Sequence, residues 1–473
     1  MARSTSCPRA VWLLVLCVAL GCAPAVAQTH YVLTLDVDYA SGGYEGEMDV
    51  TYTNRTPQPL TELFFRLYAN APTLYAGAST EILNVRVGDD VVESRLSVDD
   101  TALRVPLPQS LLPDQTTSVT LSFRGQASLR LDPASPPTHD YGILTKTPYT
   151  LTLTSFYPIV APYLDDGWAL DPVVGIGDAL FAESSSYDVS LYVDPQLTPI
   201  ASGLLVDAAL EGDRVMYRFL ADHARDFSLV LVDDGRIPRR ATAGGVNLRV
   251  WFPPSNTRAA VRAVERARVA LALYTDRIGP LPYEELDIVE VPLQHIGGVE
   301  LSGLILVSER YTADPYDLFF DILVSHEVAH EWFYAAVGND PFATPWLDEG
   351  LATYLSNVFL AEAVSPTVAY GERERWHSSL ALAADAHPEI PLTSPLDAFP
   401  DSATYSAFAY SGAAWELELI RAAIGDEAFF AGLADYYSQS LFEIASPLDL
   451  REAFEAACGC SVAGSLFPDR ATP

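Results

Sequence analysis

From Gln28 to about Asp233 apolar and polar residues alternate in short runs, broken by Gly, Pro, Asn and Asp. Tyr31–Val37, Ser118–Phe123 and Tyr187–Val193 each show a period of two, which puts every second side chain on one face of a strand. Strands at this spacing with turn residues between them predict an antiparallel β-domain, sandwich-like or saddle-shaped. The pattern then changes. Residues 236–245 read as a linker or strand crossing, and Thr257–Arg277 carries apolar residues at helical spacing with arginines and Glu265 on the other face. Leu286–Val291 and Gly303–Val307 read as strands, 314–334 as a helix and 351–363 as a second one, and helical signals continue to about Leu466. Strands followed by helices predict an α+β domain. The expected organisation is a leader over 1–27, a β-domain over 28–240, an α+β domain over 241–466 and a tail over 467–473.

Composition narrows the class. A chain of 473 residues exceeds what one core supports, and 49% hydrophobic with 19% charged residues is a globular balance rather than a disordered one. The 62 acids against 28 bases, a formal charge of −34, argue against nucleic acid or anionic membranes as partners. Lys146 is the only lysine. Arg3 and Arg9 followed by the apolar run Ala10–Leu20 read as a secretory leader, too short to span as a mature helix. Two processing outcomes stay open: cleavage after Ala27, or lipidation of Cys22 in a loose lipobox, Ala19-Leu20-Gly21-Cys22. Both place the mature protein outside the cytoplasm, with no later segment fit to cross a bilayer. Beyond the leader remain Cys458 and Cys460, a pair that can close a small disulfide in an oxidising compartment.

The chemistry concentrates in His326-Glu327-Val328-Ala329-His330. Two histidines four apart on a helix project from the same face and reach one metal ion, and the glutamate beside the first can take a proton from a bound water. Three protein ligands and an open position are what a catalytic zinc needs. The acid in Trp346-Leu347-Asp348-Glu349-Gly350 supplies the third ligand, so the expected set is His326, His330 and Glu349 around one Zn²⁺ per chain. Asp348 and Asn339 are candidates to orient the histidines, whereas His295 and His377 read as structural or exposed.

These motifs, with eighteen residues between the pentad and Glu349, resemble the aminopeptidase N family of gluzincin zinc metallopeptidases. The resemblance implies a β-saddle N-terminal domain, a thermolysin-like catalytic domain and peptide substrates. The family's G-x-M-E-N strand corresponds to Gly297-Gly298-Val299-Glu300-Leu301. There the glycines would admit substrate backbone to an edge strand, and Glu300 would bind the free α-amino group. Val299 and Leu301 depart from the family's Met and Asn. The family's oxyanion-stabilising tyrosine falls at Tyr410, with Tyr405 as the neighbouring alternative. No clear match to the N-domain substrate-binding segment is found, and 158–168, with Asp165 and Asp166, lies about where it belongs. Larger members add a helical domain that closes the site, so a chain stopping soon after the catalytic domain predicts a more open cleft. The implied function is an extracytoplasmic zinc aminopeptidase with Glu327 as general base. A zinc peptidase without strict N-terminal preference and a non-catalytic scaffold are the alternatives, and the oligomeric state is left open.

Overall fold

The computed structural model describes residues 28–132, 140–165 and 167–467. The leader, Cys22, Asp166 and the tail beyond Phe467 therefore lie outside the described residues. No described helix is long and apolar enough to cross a membrane.

The N-terminal half is built on an eight-stranded sheet whose centre pairs His30–Asp38 with Gly43–Thr53 antiparallel and with Ser185–Val193 parallel. The alternation seen in the sequence is realised side chain by side chain: along His30–Asp38 every second residue is buried. The buried face packs on two smaller sheets, of four and five strands, around Tyr31, Tyr157, Tyr187 and Phe156. Lys146 is buried here with its Nζ 3.7 Å from the centre of the Tyr39 ring, a cation–π contact that offsets part of its desolvation.

The second half opens with a hairpin, Arg239–Ala243 with Val246–Trp251, where a linker or crossing was expected. The hairpin begins a five-stranded sheet that continues through Glu285–Val291 and Leu304–Ser308 to Gly298–Leu301 at the far edge. The strand carrying Glu300 is thus an edge strand, antiparallel to its single neighbour. Helix α1 (Thr257–Arg277) buries Ala259, Ala260, Ala263, Ala267, Ala270, Leu271 and Tyr274, the stripe its spacing predicts. The Tyr274 hydroxyl donates to Ser325 O (3.0 Å) and Leu355 O (3.1 Å), tying α1 to the two helices of the site.

Those helices differ from expectation at their ends. Helix α2 is Leu318–Ala329 rather than 314–334. Asp317 starts it by accepting from Phe319 N at 2.8 Å. His330 is its last-turn cap, after which the chain turns with Ala335 N donating to His330 O. Helix α3 is Trp346–Phe359 rather than 351–363, with Glu349 in its first turn, at the start of the helix as expected. Every residue of α3 is buried, which removes the amphipathic signal that would have marked its start. Helix α4 (Pro366–Ala386) follows a short π-helical turn and forms one wall over the site. Near the C-terminal end of the described chain Cys458 and Cys460 are joined by a disulfide.

Among the groups that fasten the halves is a buried cation, Arg225. The Arg225 guanidinium donates to the carbonyls of Ala182 (3.2 Å), Tyr334 (2.6 Å), Ala336 (3.4 Å) and Glu443 (2.7 Å). Next to it, Asp226 Oδ2 accepts from Ser302 N, Ser302 Oγ and the Tyr334 hydroxyl, each at 3.1 Å.

Candidate active site

Helix α2 presents His326 and His330 one turn apart, and α3 brings Glu349 across to meet them. His326 Nε2 lies 3.1 Å from His330 Nε2 and 3.2 Å from Glu349 Oε2, and His330 Nε2 lies 3.3 Å from the same oxygen. Ligand atoms about 2.0–2.1 Å from a tetrahedral ion are ~3.3 Å from each other, so the triangle has the size such an ion requires. The rings are turned for the task. His330 Nδ1 donates to Phe333 O at 3.0 Å, which leaves its Nε2 lone pair facing the other two donors. The expected orienting residues do something else: Asp348 Oδ1 accepts from Asn339 Nδ2 (3.2 Å) and Glu349 N (2.9 Å). They brace the start of α3 rather than a histidine.

The charge balance also calls for a cation. Burial alone disfavours a charged His330 ring, yet the carboxylates of Glu300, Glu349 and Glu327 outweigh it and hold the group well above the usual histidine range. Burial, helped by His330, keeps His326 low. Burial opposes ionisation of Glu349 too, but the contacts from His326 and His330 prevail and bring it down to about 2. Glu300, His330 and Asp348 form a second close group of donors, but Asp348 is already engaged by Asn339 and by Glu349 N.

Glu327 is 4% exposed and, among the described residues, its Oε2 has no hydrogen-bond partner. Burial first, then Glu349 and Asp178, push its carboxyl up to about 8 against the opposing pull of His330. An orphaned buried carboxylate oxygen is costly unless something arrives to use it. Gly298 explains how the group fits there. A Cβ at residue 298 would stand 2.4 Å from Glu327 Oε1 and 2.5 Å from its Cδ. The glycine read from the sequence as an opening for substrate is therefore also the space in which Glu327 lies. Gly297 is less critical, its added Cβ meeting Leu323 Cδ1 at 3.0 Å.

Glu300 is 7% exposed, and among the described residues no hydrogen bond or ion pair reaches its carboxylate. Burial, then Asp178, raise it well above the ordinary range. Tyr410 sits in a π-helical turn, Ser406–Gly412, an irregularity common at functional sites. Its hydroxyl donates to Glu349 Oε1, while Tyr405 is buried and stacks edge-on against it at 5.4 Å. Tyr410 is thus the nearer of the two to the ligand triangle.

His326, Glu327, Glu349, Glu300, Gly297, Gly298, Tyr405 and Tyr410 line one cavity of about 850 Å³, while the buried His330 is not part of its lining. From the N-terminal half Tyr141, Gly177 and Asp178 reach it, where 158–168 was expected; within that segment Tyr163–Leu164 instead pairs with Gly167–Trp168 in a small hairpin. Asp178 escaped sequence reading because it stands alone; its only signal is the flexible Gly175-Ile176-Gly177 before it. His295 and His377 are both exposed, as expected, His295 at the cavity lining and His377 stacked on Trp415 at 4.7 Å.

A β-rich half joined to an α+β half, with two helices presenting a His, His, Glu triangle and a free glutamate, is the arrangement of a gluzincin metallopeptidase. Residues 262–466 match the peptidase family M1 domain. Aminopeptidase M1-B of Oryza sativa subsp. japonica is 30% identical over 241 residues, 46% of this chain and 26% of that protein. Aminopeptidase 2 of Candida albicans is 24% identical over 314 residues, 59% of this chain and 31% of that protein. The chain thus spans about a third or less of the length of these relatives. The M1 zinc metallopeptidase of Deinococcus radiodurans shares the fold over nearly its whole length: a variant of it superposes with a TM-score of 0.67 at 19% identity, covering 94% of this chain and 95% of that one.

Proposed function

We propose that this protein is a zinc-dependent aminopeptidase that removes N-terminal residues from peptides. The observation that carries the reading is the triangle of His326, His330 and Glu349 with the unpartnered Glu327 oxygen beside it. His326, His330 and Glu349 would hold a zinc ion, which would supply an acidified water and polarise the scissile carbonyl. Glu327 takes the water's proton as the bond to carbon forms, and returns it to the leaving amine. The Tyr410 hydroxyl turns from Glu349 to the developing oxyanion, a donor worth roughly 3–4 kcal/mol. Glu300, with Asp178 nearby, holds the substrate's ammonium group and so fixes the register of cleavage. The edge strand Gly298–Leu301 offers backbone groups to an extended peptide.

The proposed location is extracytoplasmic. The leader pattern supports it, and so does the Cys458–Cys460 disulfide, which suits an oxidising compartment.

The test compares aminoacyl chromogenic substrates with their N-acetylated counterparts, with and without chelator. Chelator-sensitive cleavage of the free-amine set alone, with Glu300→Ala reducing it far more than any residual cleavage of the blocked set, supports the aminopeptidase. Equal cleavage of both sets, or equal losses on replacement of Glu300, moves the protein to a zinc peptidase without N-terminal preference. The departures at Val299 and Leu301 favour that second reading.

A further inference from the structure

One buried polar group in the wall of the cavity takes no part in the proposed reaction. Residues four apart on a helix share a face, so Thr353 stands one turn beyond Glu349 on the cavity side of α3. It is 8% exposed, and among the described residues its Oγ1 has no hydrogen-bond partner. Ser356, next along the same face, shows the contrast: its hydroxyl is satisfied by donating to Thr353 O at 2.7 Å. A buried hydroxyl without a partner destabilises a fold, whereas valine has the same shape and none of that cost. Threonine has two χ1 rotamers open to it in a helix, so one rotation re-aims the hydroxyl toward a ligand.

Its place along the cavity decides which part of a peptide it meets. The Tyr274 hydroxyl bonds both Ser325 O and Leu355 O, so α2 and α3 lie side by side at that level. Thr353, between Glu349 and Leu355, therefore faces the turn of α2 just ahead of His326, where Ile322 and Leu323 also line the cavity. The edge strand runs in the same direction. A Cβ at 298 would meet Glu327, and one at 297 would meet Leu323 at 3.0 Å, with Glu300 at the other end. A peptide extended along that strand, its ammonium at Glu300 and its scissile bond at Glu327, puts the following residue between Leu323 and Thr353. That side chain meets apolar carbon on one side and an unpaired hydroxyl on the other. A neutral group pairs with a lone buried hydroxyl at less desolvation cost than an ion does. We infer that Thr353 selects, in the residue after the scissile bond, an uncharged side chain bearing a hydroxyl or carboxamide over its apolar isostere.

This inference rests on the aminopeptidase reading, and the two fail by different results. Zinc-loaded full-length protein is assayed on tripeptides matched in shape at the second residue, Ala-Thr-Ala against Ala-Val-Ala and Ala-Asn-Ala against Ala-Leu-Ala. The quantity read is the polar-to-apolar ratio of kcat/KM within each pair, which a general loss of activity leaves unmoved. Thr353→Val should lower that ratio about fivefold, the scale of one neutral hydrogen bond, and Thr353→Ser should keep it near the unsubstituted value. Thermal unfolding without substrate gives a second readout. Thr353→Val should melt at the same temperature or higher, because a methyl replaces an unpaired hydroxyl. Ratios unchanged by Thr353→Val overturn the inference, and so does a lower melting temperature, which would mean that the hydroxyl already has a partner within the fold. Absence of turnover on all four peptides by the unsubstituted protein overturns the aminopeptidase reading, and the inference with it.

Discussion

Replacing Gly298 by alanine tests whether this position exists to house Glu327. The backbone at 298 is ordinary strand, so alanine carries no conformational penalty there, and the only new atom is a methyl carbon. That carbon would lie 2.4, 2.5 and 2.8 Å from Glu327 Oε1, Cδ and Cγ, about 1 Å inside normal contact. Either the carboxylate swings away or the edge strand shifts. Overpacking of this kind costs about 1–3 kcal/mol. A general base moved by roughly 1 Å loses on the order of a hundredfold in rate. The expectation is a kcat about a hundredfold lower for Gly298→Ala with little change in KM. Gly297→Ala, whose methyl meets only the end of Leu323, should stay within about threefold. Thermal unfolding supplies the second arm. In a Glu327→Ala background the colliding atoms are gone, so adding Gly298→Ala should leave the melting temperature unchanged, a coupling that a double-mutant cycle reads directly. Unimpaired kcat in Gly298→Ala, or the same loss of stability with and without the Glu327 side chain, would refute the reasoning.

Other expectations follow from the same structure. Chelation should abolish turnover and also lower the melting temperature, since an ion bound only by the folded triangle stabilises it by mass action; restored activity on adding zinc checks the reversal. Tyr410→Phe should cut kcat by about 10²–10³ with little effect on KM, whereas Tyr405→Phe should not, and equal losses would mean the wrong tyrosine has been assigned. Arg225→Ala removes a donor from four carbonyls, of which Ala336 and Glu443 keep a backbone N–H while Ala182 and Tyr334 lose theirs, and should destabilise the protein by about 2 kcal/mol or more, measured by denaturant unfolding. The Asp188 carboxyl is held below its ordinary range chiefly by Arg218. Its contribution is therefore present above the unfolded value near pH ~4 and is lost as pH falls through the lower folded value. In Asp188→Asn the acid limb of the stability curve should flatten in that window.

The candidate site was more legible in the sequence than the elements that hold it. The pentad and Glu349 sit at a spacing that only a helix pair can exploit, and the structure brings their donor atoms into one triangle. The strands of the first half were plain because one face is buried and the other wet. Helix α3 was misjudged at its ends because burial on all sides erases the alternation that marks a boundary. The start of α2 did carry a signal, the capping Asp317, that the apolar pattern overshadowed. Asp178 and the α4 wall were invisible for another reason. They belong to the cavity through tertiary placement alone, and an isolated acid in a chain this acidic has no local mark.

The N-terminal half meets the cavity through very little chain, Tyr141 and the Gly177-Asp178 corner, while the ligand triangle stands wholly on α2 and α3. That corner is nevertheless not isolated from the triangle, because Asp178 hydrogen-bonds Glu349 and its charge bears on Glu300 and Glu327 as well. A loop grafted over 175–179 therefore reaches a proposed metal donor and the cavity wall together, and an exchange that keeps the acid at 178 is the conservative one.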